Sequence, residues 1–362
     1  MTKHPLVQKE WKTSRWVMLI FTLIYGTYAV LFNNSITYNK ERYLFSDGSS
    51  SNFMHELYAI SMTMLPLTLI GIIILVILLF SHERNLKVGK FMGSLPFNKK
   101  IQFKIKYIMG MVTFTLPFLL FAITMIFIRI QNNSWLTRLY EYAPAGGMLV
   151  KQESLGSLLI WLGIIWLIMM AVYSFLILVQ TLMGQNIIAG IIGAIIYMVP
   201  WFLIYAVPAT IYLITGRWCE KDVWDSILFF FQGVPRTNIE PVIDLGKQTL
   251  FREWNHVRVY DYHNLGLNLG ILIVVIIISS MLAYRFILDN DVEKNGDIVM
   301  YTWFGKILIS GISLCSALLL PLIVVVFSQV ENSILTIALM ITGGIIGYVI
   351  SKRSIEITQK HG

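Results

Sequence analysis

Residues 155–215 read LGSLLIWLGIIWLIMMAVYSFLILVQTLMGQNIIAGIIGAIIYMVPWFLIYAVPATIYLIT and contain no Asp, Glu, Lys, Arg or His. A helix needs about 20 apolar residues to cross the hydrocarbon core of a bilayer, so this stretch is long enough for two crossings. Only Gln180, Gly184, Gln185 and Asn186 interrupt it, which predicts a tight turn between two helices. The stretch therefore indicates a helical membrane protein.

The rest of the chain has the same character. Of its 362 residues, 56% are hydrophobic and 13% are charged, and that charged share is about half that of a soluble domain. A water-soluble protein is therefore excluded. Apolar length and flanking charge predict an all-α polytopic membrane protein with eight transmembrane helices. The predicted spans are residues 16–32, 58–80, 108–128, 155–180, 187–215, 266–284, 307–328 and 334–350.

Charged residues are divided unequally between the two sides of these spans. With the N-terminus inside, the inner segments hold 17 Lys and Arg against 7 Asp and Glu, and the outer segments hold 11 against 13. The excess of Lys and Arg on the inner side agrees with the positive-inside rule. The net charge of +8 therefore reflects orientation in a membrane, and we expect no nucleic-acid partner.

The spans divide the chain into five segments. Residues 1–15 mix apolar and basic side chains, which predicts a short helix at the inner membrane interface; a frayed basic tail is the alternative. Six spans occupy residues 16–284. A second cytoplasmic loop follows at 285–306, then two further spans at 307–350 and a cytoplasmic tail at 351–362.

Signatures of catalysis are absent from the sequence. It contains no His-Glu-x-x-His motif, no Gly-x-Ser-x-Gly motif and no phosphate-binding Gly-x-x-x-x-Gly-Lys-Ser/Thr loop. Charged groups inside a bilayer usually mark ion pathways, and the predicted spans contain none, so a proton- or sodium-coupled carrier built on buried carboxylates is not expected. The six histidines are scattered over termini and loops. We therefore expect no catalytic residue, metal site or bound cofactor in this chain.

The most basic loop lies between spans two and three. Residues 82–107 read HERNLKVGKFMGSLPFNKKIQFKIKY. Val88, Phe91, Met92 and Leu95 are spaced i, i+3, i+4 and i+7, which predicts an amphipathic helix with one apolar stripe. That stripe requires a surface to cover.

A second helix is predicted directly after the first. Pro96 ends the first helix, and Asn98 can cap the next one. Ile101, Ile105 and Ile108 carry an apolar face from there into span three. Two helices that meet at a proline would form a stiff lever attached to two spans. The alternative that the residues leave open is a basic hairpin resting on anionic lipid.

This loop is similar to the first cytoplasmic loop of bacterial ABC-2-type transporter permeases. The similarity extends over residues 5–287, which include an inner-interface helix, six spans and a long outer segment between spans five and six. The residues that carry it are Glu83-Arg84, Gly93-Ser94-Leu95-Pro96, Asn98-Lys99-Lys100 and Lys106-Tyr107, together with Tyr284-Arg285, Asp291, Glu293 and Asn295-Gly296-Asp297 after span six, which resemble a charged turn in Gram-positive members. Many such permeases have six spans, so the role of spans seven and eight stays open.

The resemblance implies the membrane subunit of an ATP-driven exporter in the bacterial plasma membrane, with both termini in the cytoplasm. A separate ATPase would bind ATP and Mg²⁺ and dock on the loop 81–107, and a second permease chain, identical or similar, would complete the transporter. The implied docking residues are Glu83, Arg84, Lys87, Phe91, Met92, Leu95, Pro96 and Phe97, with a second cytoplasmic contact at Asp291, Glu293, Lys294 and Asp297.

By resemblance to Gram-positive members, the cargo would be an amphiphile such as a peptide antibiotic, a lipid or a lipid-linked precursor. The competing class is a membrane enzyme or scaffold whose basic loop binds anionic lipid or a regulator. Both classes leave the chain in contact with membrane lipid.

The largest polar segment on the outer side is residues 216–265. Trp224, Ile227, Leu228 and Phe231 have helical spacing, which predicts an amphipathic helix at the outer interface, similar to the short re-entrant helices of the family. An anchor in the aromatic belt and a gate are both open as its role. Within this segment, the periodicity of residues 250–263 does not distinguish a helix from a strand.

Overall fold

The computed structural model describes the chain in ten stretches. These are residues 5–45, 53–81, 98–136, 149–150, 155–216, 236–241, 256–261, 265–289, 297–328 and 332–359. Eight helices in these stretches are long and apolar enough to cross a membrane, which confirms the predicted number. They are α1 (Pro5–Phe45), α2 (Phe53–Phe80), α3 (Lys99–Gln131), α4 (Leu155–Leu182), α5 (Asn186–Thr215), α6 (Leu265–Leu288), α7 (Thr302–Ser328) and α8 (Ser333–Gln359).

The outward faces of these helices are apolar. Ile123 of α3 is 63% exposed and Ile187 of α5 is 66% exposed, and similar Ile and Leu side chains line the outside of the other helices. Water does not solvate a continuous surface of this kind favourably, whereas lipid chains do. The chain is therefore an all-α polytopic membrane protein.

Helix α4 lies at the centre of the bundle. In its most apolar stretch 72% of the residues are buried, compared with 17% in each of α5 to α8. It packs against α2, α3, α5 and α6. Its Trp161 and Tyr173 are fully buried, and Trp161 Nε1 donates a 2.8 Å hydrogen bond to Ser61 Oγ of α2.

Helix α1 differs from the expected arrangement, because the short N-terminal helix is not separate from the first span. One helix runs from Pro5 to Phe45, and its 41 residues correspond to about 60 Å, twice the thickness of the hydrocarbon core. No Gly or Pro lies between Leu6 and Tyr25 to end the helix. The side chains of Glu10 and Ser14 are buried in the bundle, so this end of α1 packs on the protein.

The predicted turn between the fourth and fifth spans is confirmed. Helix α4 ends at Leu182 and α5 begins at Asn186, so three residues reverse the chain. We call residues 183–185 the α4–α5 turn. Gln180 is fully buried two residues before the end of α4.

The last two helices form a closely packed hairpin. A Cβ atom on Gly343 would lie 2.5 Å from the carbonyl oxygen of Ser316, so the small residue at this position allows α7 and α8 to approach. Ser313 Oγ also donates a 2.8 Å hydrogen bond to the carbonyl oxygen of Gly344. The hairpin packs on α5, and Ser333 Oγ donates to the carbonyl oxygen of Ile214 at 2.9 Å.

A small sheet joins the α3–α4 connection to the α5–α6 connection. Its strands are β1 (Leu149–Val150), β2 (Arg236–Pro241) and β3 (His256–Asp261), in the order β1-β3-β2. Strand β3 pairs parallel with β1 and antiparallel with β2. It occupies part of the segment whose periodicity did not distinguish helix from strand. The α3–α4 and α5–α6 connections therefore lie on the same side of the bundle, as predicted.

Candidate functional site

Most of the residues implied to dock an ATPase lie outside the described stretches. The described residues that flank this loop are Leu78–Ser81 at the end of α2 and Asn98–Tyr107 at the start of α3, which we call the loop base. The residues outside the description are Glu83, Arg84, Lys87, Phe91, Met92, Leu95, Pro96 and Phe97, then Asp291, Glu293 and Lys294, and the predicted outer helix at Trp224, Ile227, Leu228 and Phe231.

The start of α3 agrees with the predicted cap. Asn98 has an extended backbone, and its side-chain oxygen accepts a 2.9 Å hydrogen bond from the backbone N–H of Lys100. The helix begins at Lys99, whose Nζ donates to the carbonyl oxygen of Leu288 at 3.5 Å. A lysine at the C-terminal carbonyl groups of α6 is electrostatically favourable because that end of a helix carries a partial negative charge.

The predicted apolar stripe at the start of α3 faces away from the protein, whereas the apolar stripe of a helix in a soluble protein faces the core. Ile101 and Ile108 are about half exposed, whereas Phe103 and Lys106 are buried. In a bilayer the apolar face turns toward the hydrocarbon and the polar face toward the protein. The stripe predicted to continue from the loop therefore faces outward along this helix.

Lys106 is the charged residue that the loop base buries most deeply. Its side chain is 2% exposed, and its Nζ lies 4.3 Å from the centre of the Phe80 ring in α2. A cation at this distance from an aromatic face is attracted by the ring's electrons. Glu10 of α1 is also buried, with 6% of its surface exposed. The start of α3 and the end of α2 thus meet at this lysine.

Next to Lys106, the hydroxyl of Tyr107 links three helices. Ser280 Oγ donates its only proton to the carbonyl oxygen of Ile276 at 2.6 Å, so the 2.9 Å bond between Tyr107 and Ser280 is donated by Tyr107. The 2.8 Å bond to Ser174 is then donated by the serine. The order of donors, Ser174 to Tyr107 to Ser280, is therefore unique.

A second bond supports the same tyrosine. Tyr173 Oη donates to the backbone carbonyl of Tyr107 at 2.9 Å. Gly110 lies beside this contact, and any Cβ atom at that position would overlap the Tyr173 hydroxyl. The close approach of α3 and α4 at the loop base thus depends on a glycine one turn after Tyr107.

The α4–α5 turn lies against the same end of α2. Asn186 Nδ2 donates a 2.7 Å hydrogen bond to the carbonyl oxygen of Ile77, and Gln180 Nε2 donates to the carbonyl oxygen of Asn186 at 3.0 Å. A Cβ atom on Gly190 would overlap the end of the Ile77 side chain. The end of α2 and the start of α5 are therefore in direct contact.

The connection between α6 and α7 also contacts this turn. The backbone N–H of Gly184 donates to the carbonyl oxygen of Asp297 at 3.1 Å, and the N–H of Met300 donates to the carbonyl oxygen of Leu182 at 3.0 Å. Val299 is buried with Met183 in an apolar cluster at the same place. Of the four residues in the predicted second cytoplasmic contact, Asp297 is the one within the described stretches, and its backbone is held against the α4–α5 turn.

The sequence analysis did not predict the burial and the contacts of several of these residues. Lys106 and Glu10 lie outside the predicted spans, yet both are buried in helices, as is Arg129, whose Nη1 donates to Asn133 Oδ1 at 2.9 Å. Ser174 and Ser280 carried no signal, because isolated serines are common in transmembrane helices. The Lys106-Tyr107 pair was noticed through the resemblance alone.

Within the stretches that the structure describes, no group of three or more His, Cys, Asp or Glu residues is arranged to hold a metal ion. Comparison of the chain with protein-family models, with curated proteins and with solved structures finds no match.

Proposed function

We propose that this chain is the membrane subunit of an ATP-driven ABC exporter of the ABC-2 type, and that a separate cytoplasmic ATPase docks on residues 82–97. The permease would act with a second copy or a similar chain, in a bacterial plasma membrane and with both termini in the cytoplasm. Its cargo would be an amphiphile, such as a peptide antibiotic, a lipid or a lipid-linked precursor.

The observation that carries this proposal is the way both ends of the loop are fastened. Lys106 of α3 lies over Phe80 of α2, so the helices that enter and leave the loop are in contact at its base. Tyr107 then connects α3 to α4 and α6 through Ser174 and Ser280. A force on residues 82–97 would reach packed helices directly, which is a requirement for a permease driven by an external ATPase.

A pull-down with charge insertion tests the docking. The exporter proposal expects an ATPase gene next to this one; that ATPase is co-expressed with the chain, and the pair is purified through a tag on the permease. In the variant Phe91→Glu with Leu95→Glu, the apolar stripe carries two carboxylates, so ATPase recovery should fall by at least about tenfold, whereas membrane insertion should be unchanged.

A matched control uses the other predicted amphipathic segment. Ile227→Glu with Phe231→Glu has the same i, i+4 spacing on the opposite side of the membrane and should retain the ATPase. If the Phe91 and Leu95 variant also retains its ATPase fully, the docking assignment is wrong. If no ATPase accompanies the wild type while the purified chain binds vesicles of anionic lipid through this loop, the scaffold class replaces the exporter.

A further inference from the structure

The last turn of α2 is completed by a residue from another helix. The final four carbonyl groups of any helix lack a backbone donor within that helix. In α2 the N–H of Ser81 donates to the carbonyl oxygen of Leu78. The carbonyl oxygen of Ile77 accepts a 2.7 Å hydrogen bond from Asn186 Nδ2. Asn186 thus acts as a C-terminal cap of α2 while standing at the first position of α5.

The shape of the contact adds to this hydrogen bond. Because Gly190 has no side chain, Ile77 packs directly on the backbone of α5 one turn above Asn186. A rigid side chain against a backbone leaves little room for sliding, since packed surfaces in proteins have few voids. The end of α2 therefore cannot shift toward α5 without moving it.

The amide of Asn186 is only partly satisfied in this arrangement. Its Oδ1 atom is buried and has no hydrogen-bond partner among the residues that the structure describes. A buried unsatisfied acceptor is uncommon in native proteins and calls for an explanation. A group that exchanges partners between two conformations would explain it.

The end of α2 and residues 297–300 both contact the chain around the α4–α5 turn. The α2 end leads into residues 82–97, and the second loop is bonded to the turn through Gly184 and Asp297 and through Leu182 and Met300. The residues that make these contacts, Leu182, Gly184 and Asn186, are therefore only two positions apart along the chain.

We propose that the α4–α5 turn is the junction that transmits movement of the docking loop to α5, with Asn186 as the positioning residue that ties α5 to the last turn of α2. This inference rests on the proposed function, because the force would come from the ATPase. According to this proposal, a displacement of residues 82–97 moves the end of α2. The Asn186–Ile77 hydrogen bond then moves α5 in the same direction.

A distance measurement tests the junction without knowledge of the cargo. Spin labels are attached to cysteines at Tyr205→Cys in α5 and Phe127→Cys in α3, two exposed positions distant from the turn, with Cys219 and Cys315 replaced by Ser. The chain is purified with its ATPase in lipid nanodiscs. Electron spin resonance then gives the distance distribution without nucleotide, with ATP and Mg²⁺, and after trapping with vanadate.

In the parent protein, trapping should shift the distribution. Asn186→Leu removes the donor to Ile77 at similar side-chain size, so the ratio of shifted to unshifted populations should fall by about threefold or more, as for one interhelical bond of average strength. ATPase recovery and the nucleotide-free distance should stay as in the parent. If the leucine variant does not fold, Asn186→Ala removes the same hydrogen bond without introducing a larger apolar side chain.

The matched control is Trp161→Phe, which also removes one buried bond to α2, at Ser61, far from the turn. It should leave the shift intact. An undiminished shift in both Asn186 variants, or an equal loss in Trp161→Phe, would overturn the junction. Failure of the wild type to bind any ATPase would instead contradict the proposed function, so the two failures are distinguishable.

Discussion

The Nζ atom of Lys106 lies 4.3 Å from the centre of the Phe80 ring, and this contact joins the eighth residue of α3 to the last residue of α2. The lysine is 2% exposed, so the attraction is not weakened by water. Because the two residues stand on either side of residues 82–97, their interaction brings the two ends of that segment together.

This pair should show a measurable energetic coupling. Lys106→Met and Phe80→Leu each remove the cation–ring attraction and nearly preserve volume, so a double-mutant cycle should give a coupling of about 0.5–2 kcal/mol. The measurement is the free energy of unfolding in mixed micelles. The exposed pair Arg15 and Trp16, at 5.4 Å, is the control and should give a smaller value. A coupling near zero for Lys106 and Phe80 would contradict the assignment.

The hydroxyl chain predicts a cost for removing one oxygen atom. Tyr107→Phe leaves a donor on Ser174 and an acceptor on Ser280 without their partner, so the unfolding free energy should fall by about 0.6–1.7 kcal/mol. Tyr284→Phe is the comparison, because its ring is tilted by 58° against the Phe103 ring, with centroids 5.8 Å apart, and no hydrogen bond of its hydroxyl occurs in the described part of the chain. If both changes lower the stability to thermal unfolding equally, the hydrogen bonds of the Tyr107 hydroxyl do not contribute the predicted stabilisation.

The hairpin of α7 and α8 offers a test with two adjacent glycines. Gly343→Ala should destabilise by about 1–3 kcal/mol, because the new Cβ meets the backbone oxygen of Ser316 at 2.5 Å. Gly344→Ala should be neutral or slightly stabilising, since its Cβ would make an ordinary 3.6 Å contact with Ala317 and alanine favours helix. Thermal unfolding in detergent measures both, and the reverse ranking would show that this packing is misassigned.

Orientation is tested by labelling in intact cells. With the native cysteines replaced, a membrane-impermeant maleimide should react with Ser50→Cys and should reach Lys99→Cys only after permeabilisation. The expectation follows from the excess of Lys and Arg on the side of Lys99. Equal labelling of both positions before permeabilisation would reverse or invalidate the assignment of sides.

The number of helices was predictable because each span is a long apolar run between charged or polar residues. Their bounds were less so: α3 begins at Lys99, nine residues before the predicted span at residue 108. The apolar run of span three is bounded by lysines, but the backbone hydrogen bonds of the helix continue through these lysines. The cap at Asn98 and the turn near Gly184 were predictable because both depend on local residue types.

Contacts between distant helices had no local signal. Asn186 and Ile77 are separated by 109 positions, and their bond depends on how α2 and α5 are rotated about their axes. The same holds for the burial of Lys106, since a lysine near the end of a span more often extends to the interface. Packing partners decide such rotations, and a single sequence does not specify them.

The division of the two apolar clusters also bears on how the polypeptide is made. The main cluster is built from α1 to α4 with Leu272 and Ala283 of α6, whereas Phe304 and Leu308 at the start of α7 join the smaller one. A ribosome releases the chain from its N-terminus, so the large cluster can form before the final hairpin emerges. The hairpin of α7 and α8 would then insert after the main cluster has formed and pack on α5, and an arrest of translation before α7 would leave the α5 face that the hairpin covers exposed to lipid.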